Sequence, residues 1–500
     1  VWVPDQGDGT YRNPILFADY SDPDVIRVGD DFWLTSSSFH CTPGLPILHS
    51  KDLVNWTIVN HALKNVPGEQ YRQVRHNCGV WAPAIRFHQG KYWIFFPTPD
   101  EGIYVTTATD PRGQWSPPHL MAAGKGLIDP CPLWDDDGQA YLVHAYAGSR
   151  AGIKNRLRVA PMATDGSKLI GEGKIVFHEP EKHPTLEGPK FLKKDGWYYI
   201  LAPAGGVSKG WQVVLRSREI YGPYEDKIVL AQGSTPINGP HQGALVDLPN
   251  GEWWFVHFQE RQPYGRVVHL QPVQWHDGWP LMGINQNEQG VGEPVLRYRK
   301  PKVDGQHPIA TPQTSDEFDA PKLGLQWQWQ ANHEDDWHSL SARQGWLRLP
   351  ARRIEDTDLY NAPNLLLQKL PAESFVAETM LQARLNPGEL AGLTVMGRQY
   401  AVLALRQSGD RREIVYIVNG TDEWVQPYRD DVVRLRMELA SGGKCSFSYA
   451  PVGQGFRAIE RQFQASDDGW IGAKVGIFCV ATGGEARGHG DFDYFRITAP

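Results

Sequence analysis

The sequence predicts an all-β chain: a five-bladed β-propeller followed by a C-terminal, jelly-roll-like β-sandwich. Three observations carry this expectation. Five stretches of the first 300 residues share one pattern: an opening residue close to a proline, an apolar strand, an Asp- or Gly-rich turn and an aromatic strand. They open at Asp22, Trp81, Asp129, Glu187 and His241, so successive starts differ by 59, 48, 58 and 54 residues, about the length of a four-stranded sheet. The composition agrees, with 51 Gly and 38 Pro for turns and 19 Trp, 19 Tyr and 18 Phe for strands or a binding surface. Finally, no long helix is legible in residues 1–300, which disfavours parallel α/β folds, whose crossovers need helices.

The elements follow in order. IRVGDDFWLTSS, FHQGKYWIFFP, WDDDGQAYLVHA, FLKKDGWYYILAP and LPNGEWWFVHF each read as two short strands joined at a tight turn. Each hairpin supplies the inner and neighbouring strands of one blade. GIYVTTATD, LRVAPMATD, WQVVLRSR and GRVVHLQPVQW supply outer strands. The blade rhythm stops in PKVDGQHPIATPQTSDEF, which places the propeller at 1–305, a linker at 306–314 and the sandwich at 315–500. In the last region FVAETMLQARL, REIVYIVN, VVRLRMELA and KCSFSYAPV alternate as strands of two packed antiparallel sheets.

Charge narrows the partners. The formal net charge is −7 with both signs interspersed, which offers neither a basic nucleic-acid footprint nor a polybasic membrane patch. No apolar run approaches the roughly 20 residues a membrane helix needs. Neither nucleic acid nor membrane is expected as a partner. The five cysteines show no metal-ligand spacing and are odd in number, so buried thiols are expected, with a Cys445–Cys479 pair as the alternative. A chain opening at VWVPDQGDGT, without Met, suggests a removed leader and hence a secreted or periplasmic protein; the odd cysteine count keeps a cytoplasmic location open. Oligomeric state is not legible.

Three blade openings are carboxylates. In a radial array the innermost strand of every blade approaches the axis, so Asp22, Asp129 and Glu187 are candidates for one site despite their separation in sequence. A single Asp before Pro is ordinarily a turn residue. Three at equivalent repeat positions are not.

Residues 18–56, including SDPDV and PILHSKDLVNW, together with Trp81-Ala82-Pro83, Asp129-Pro130 and Glu187-Gly188-Pro189, resemble glycoside hydrolase family 43, especially its two-domain β-xylosidases and α-L-arabinofuranosidases. EFDAPKLGLQWQWQANHEDDWHSL resembles the appended sandwich of that group, so the resemblance covers nearly the whole chain. It implies an inverting, exo-acting hydrolase of xylooligosaccharides or arabinoxylan-derived oligosaccharides. Asp22 would be the general base, Glu187 the general acid and Asp129 the carboxylate that orients the acid and raises its pKa. Such chemistry needs an acid to protonate the leaving oxygen and a base to activate water. No organic cofactor is required.

The same resemblance marks binding residues. Trp81 and Phe39 would wall a sugar pocket and Arg266 would contact sugar hydroxyls, while His40 and Trp211 would shape a neighbouring subsite; packing or a surface ion pair is the alternative for each. His241 is placed to face a channel that related hydrolases fill with calcium or water. Asp316, Glu317 and Asp319 at the start of the sandwich could meet Asp491 and Asp493 at its end as a structural calcium site, or form a solvated acidic edge. The tryptophans near the sandwich start fit a packed strand better than an independent glycan surface. The loop from Asn65 to Cys78 is expected to block one end of a groove. Motifs for shared chemistry do not choose between xylopyranose and arabinofuranose.

Overall fold

A computed structural model describes all 500 residues. Five four-stranded antiparallel sheets follow one another along the first part of the chain. Their inner strands are Asp24–Val28, Ala84–His88, Leu127–Trp134, Lys190–Lys194 and His241–Asp247, each hydrogen-bonded to the strand that follows it in sequence. The expected hairpins form. Gln89-Gly90 and Asp195-Gly196 both have positive φ at each central residue (48° and 73°, 52° and 74°), the twist-matched turn that closes a two-residue hairpin. Thr10–Arg12 pairs with Arg297–Arg299 and ties the start of the propeller to its end.

After Arg299 no strand or helix forms until an isolated bridge joins Asp316 to Phe495. The C-terminal region then builds an eight-stranded and a six-stranded sheet. Phe375–Arg384 shows the alternation that packs one face inward: Phe375, Ala377, Thr379, Leu381 and Ala383 are buried. Cys445 and Cys479 are both buried free thiols, so the alternative of a disulfide between them does not hold.

The two regions are joined by more than the connecting chain. Phe17, Tyr264 and Val267 of the propeller belong to the same hydrophobic cluster as the sandwich core. Thr42 and Trp329 exchange backbone hydrogen bonds of 3.0 and 2.6 Å. The Asn332 side chain bonds both N–H and C=O of Val66, and Lys474 Nζ lies 2.7 Å from Cys41 Sγ. These contacts seat the sandwich against the first and fifth blades.

Candidate active site

The opening residues of the inner strands meet at one end of the propeller axis. Asp22, Asp129 and Glu187 line a single cavity of about 320 Å³ with Phe39, Trp81 and Arg266. Local backbone geometry aims them. Asp22 and Asp129 both lie in the left-handed region, at φ 53° and 55°, a conformation that costs energy in a non-glycine residue and recurs at functional sites. The third blade also slips register between Ile128 and Cys131, so Asp129 occupies a bulge, a device that re-aims a side chain. In the fifth blade a similar slip follows His241.

Each carboxyl has a different setting. Ser37 and Ser21 donate to Asp22 Oδ2 at 2.6 and 3.0 Å, and Arg266 Nη1 stands 3.5 Å from Oδ1. Asp129 is buried and accepts the Gly188 amide at 2.8 Å. Burial, then the charges of Glu187 and Asp22, push Asp129 up to about 8. The Glu187 side chain is 29% exposed and faces the cavity.

Arg266 is buried, donates from Nη1 to Ser21 Oγ at 2.9 Å and lies over the Phe258 ring. Phe39 reaches the cavity because its backbone pairs with Val80, and Gly79 makes that approach feasible: a Cβ there would sit 2.1 Å from the Phe39 carbonyl oxygen. The Trp81 indole N–H donates to Asn77 O at 2.8 Å, and Arg150 stacks over its ring.

Two expected binding residues lie elsewhere. Trp211 packs against the core shared by the third and fourth blades and donates to His183 Nδ1 at 3.2 Å, so it does not line the cavity. His40 is buried outside the lining, beside His76; burial, then Lys474 and His76, hold its pKa well below the usual histidine value.

His241 is buried with Nε2 3.3 Å from Glu187 Oε1, outside hydrogen-bond alignment, and neither ring nitrogen has a protein partner. Such orphaned nitrogens fit contact with channel water or a hydrated cation. In the sandwich the carboxylates are engaged by donors of the protein itself. Asp316 does pair with Phe495 near the end of the domain, but its carboxylate accepts from the Phe318 and Gly324 amides and the Trp327 indole. Arg496 forks onto Glu317 at 2.8 and 2.7 Å, and Arg348 forks onto Asp491 at 2.7 and 2.9 Å. Asp319 is exposed, and burial raises the pKa of Asp493. Arginine thus neutralises Glu317 and Asp491.

One lining residue escaped the sequence reading. Trp470, in the turn Asp467-Asp468-Gly469-Trp470 of the sandwich, enters the cavity and meets Trp81 edge to face, ring centroids 4.9 Å apart. Its amide donates to Asn77 Oδ1 at 3.0 Å. The loop between Asn65 and Cys78 is therefore pinned between the cavity rim and the second domain. An exposed Trp in an Asp-Gly turn that has no packing need for it was the available signal.

Residues 11–280, more than half of the chain, match the model of glycosyl hydrolases family 43. The chain belongs to glycosyl hydrolase family 43. Residues 315–498 match the β-xylosidase C-terminal concanavalin A-like domain found with family 43 propellers. Among family 43 relatives, a putative β-xylosidase of Xylanibacter ruminicola is 40% identical over 96% of this chain and 87% of its own length. A non-reducing end α-L-arabinofuranosidase of Bacteroides ovatus is 31% identical over 80% of this chain and 77% of its own. The crystal structure of xylan β-1,4-xylosidase from Bacillus halodurans superposes with a TM-score of 0.87 at 26% identity, covering 97% of this chain and 99% of that one. The protein is a glycoside hydrolase with the two-domain family 43 architecture.

Proposed function

We propose that the protein removes single terminal xylose units from β-1,4-xylooligosaccharides with inversion, and that terminal arabinofuranose is a secondary substrate. The observation that carries this reading is the small size of the cavity that holds all three carboxyls. At about 320 Å³ it stands at the small end of ligand sites (about 300–1,000 Å³), and Trp470 with the Asn77 loop narrows its mouth. A chain end fits such a space, whereas a polymer running through it does not.

In this mechanism Asp22 takes a proton from water as the water attacks the anomeric carbon, and Glu187 gives its proton to the departing glycosidic oxygen. The C–O bond to the leaving sugar breaks as the bond to water forms, so charge and protons balance. Asp129, fixed by the Gly188 amide, stands beside Glu187 and orients it toward the departing oxygen. Arg266 and Trp81 orient the sugar against Asp22. A hydrated calcium ion held near His241 would supply positive charge beside the carboxylates, and no proton transfer in this scheme passes through it.

Chromatography of xylooligosaccharide digests tests the reading: xylose released progressively supports it, and early mixtures of internal fragments refute it. Proton NMR of the first-formed anomer tests inversion. The arabinofuranose reading is supported by the likeness to the Bacteroides relative, and initial rates on paired aryl xylosides and arabinofuranosides rank the two substrates.

A further inference from the structure

The turn that brings Trp470 to the cavity is held by a histidine from the other domain. Asp468 Oδ2 lies 2.6 Å from His76 Nδ1, and Asp468 Oδ1 accepts the Tyr360 hydroxyl at 2.7 Å. His76 Nε2 faces the Tyr360 backbone oxygen at 3.1 Å. The His76 ring also lies flat on the Tyr360 ring, 3.7 Å apart and 6° from parallel. Both imidazole nitrogens thus face acceptors. A carbonyl oxygen cannot donate. Although burial opposes it, hydrogen bonding and charge from His76 and the bond from Tyr360 hold Asp468 below the usual carboxylate range, so its oxygens only accept as well. An imidazole that donates from both nitrogens carries both protons and a positive charge.

The surroundings leave this charge one counter-ion. His40 packs against His76 with ring centroids 5.1 Å apart and is held neutral by burial. Arg398 Nε stands 4.0 Å from Asp468 on the far side, Arg75 precedes His76 and lies over the Tyr71 ring, and Asp467, next to Asp468, has its pKa raised by burial. Asp468 is therefore the carboxylate that His76 meets, and the pair spans the two domains beside the cavity.

We infer that protonated His76 is a positioning residue: it clamps the Asp468 turn, and through it Trp470, against the cavity, so that grip on the sugar weakens when His76 loses its proton. The sign follows from donor counting. With both protons His76 makes both bonds; with one, a ring nitrogen faces an acceptor without a proton, and that bond is lost. The substrate part of this inference rests on the exo-glycosidase reading of the cavity.

The test compares wild type, His76→Gln, Asp468→Asn, Trp470→Ala and the His76→Gln/Trp470→Ala double variant on xylobiose as a function of pH. In wild type KM should rise from the acid to the alkaline end of the pH series while kcat first holds. His76→Gln and Asp468→Asn should each show a raised KM, by roughly five- to tenfold, that no longer changes with pH over that range. The double variant should be no worse than Trp470→Ala alone, because His76 acts through Trp470. Additive losses, or a wild-type pH dependence of KM in both single variants, overturn the inference. Amide exchange of residues 466–472 in the free enzyme separates this from the functional reading. Lower protection in both single variants with intact circular dichroism supports the clamp even where xylobiose is not cleaved. Unchanged protection refutes it even where xylobiose is cleaved.

Discussion

Asp129 receives the amide of Gly188 at 2.8 Å, so a single peptide link separates its hydrogen-bond partner from Glu187. The buried carboxyl is thereby fixed to the backbone that carries the proposed acid. Its elevation to about 8 has a thermodynamic signature. The folded state keeps the Asp129 proton from about pH 4 to about pH 8, where the unfolded chain releases it, so this group makes stability fall as pH rises across that window. Asp129→Asn should remove that slope and raise stability near pH 8 by on the order of 2–4 kcal/mol relative to pH 4, while activity collapses. Thermal melts of both proteins from pH 4 to 9 decide it; parallel curves would contradict the burial assignment.

Leaving-group chemistry separates the two other carboxyls. Asp22→Asn and Glu187→Gln should each lower kcat on xylobiose by about 10²–10⁴-fold. On an activated aryl xyloside, whose leaving group needs little protonation, the Glu187→Gln deficit should shrink and the Asp22→Asn deficit should persist. Equal deficits on both substrates would exchange or cancel these roles.

Arg266 tests placement of the sugar. Its Nη1 is already engaged with Ser21 and beside Asp22, so its planar fork holds a fixed geometry in the cavity wall. Arg266→Lys keeps a charge but loses the fork, and kcat/KM should fall by roughly 10–100-fold with the melting temperature little changed. Steady-state kinetics with a parallel melt checks this, and near-wild-type turnover would move Arg266 to a structural role.

Deeper along the axis lies a stability prediction. Asp24 is fully buried and accepts from the Ile85 amide and from Arg86 Nη1, each at 2.7 Å, with Lys190 Nζ 3.9 Å away. Asp24→Ala would leave both cations without their carboxylate. Urea unfolding should show a loss of about 3–5 kcal/mol.

What was legible in the sequence was what local spacing encodes. The blade openings could be read because each inner strand begins near the axis, so equivalent repeat positions become spatial neighbours; Asp22, Asp129 and Glu187 share one cavity for that reason. Trp211 shows the limit. It begins a blade strand too, but a third strand away from the axis, where its indole meets His183. The acidic ends of the sandwich were correctly expected to adjoin at Asp316 and Phe495, yet the arginines that neutralise Glu317 and Asp491 come from positions 496 and 348 and were not deducible from carboxylate spacing. Trp470 was hidden for a third reason: its role exists only once the domains have docked.

The cluster that mixes Phe17, Tyr264 and Val267 with the sandwich core has a bearing on ancestry and engineering. A crossover placed in the unstructured stretch after Arg299 looks harmless along the chain, but it parts these side chains from the surface that shaped them and parts Trp81 from Trp470. Recombined halves from divergent relatives would inherit mismatched seams as well as an altered substrate mouth. A substitution on one side of the seam therefore calls for a matching one on the other, and a library built by shuffling the domains should recover active enzymes chiefly where both sides of the seam come from one parent.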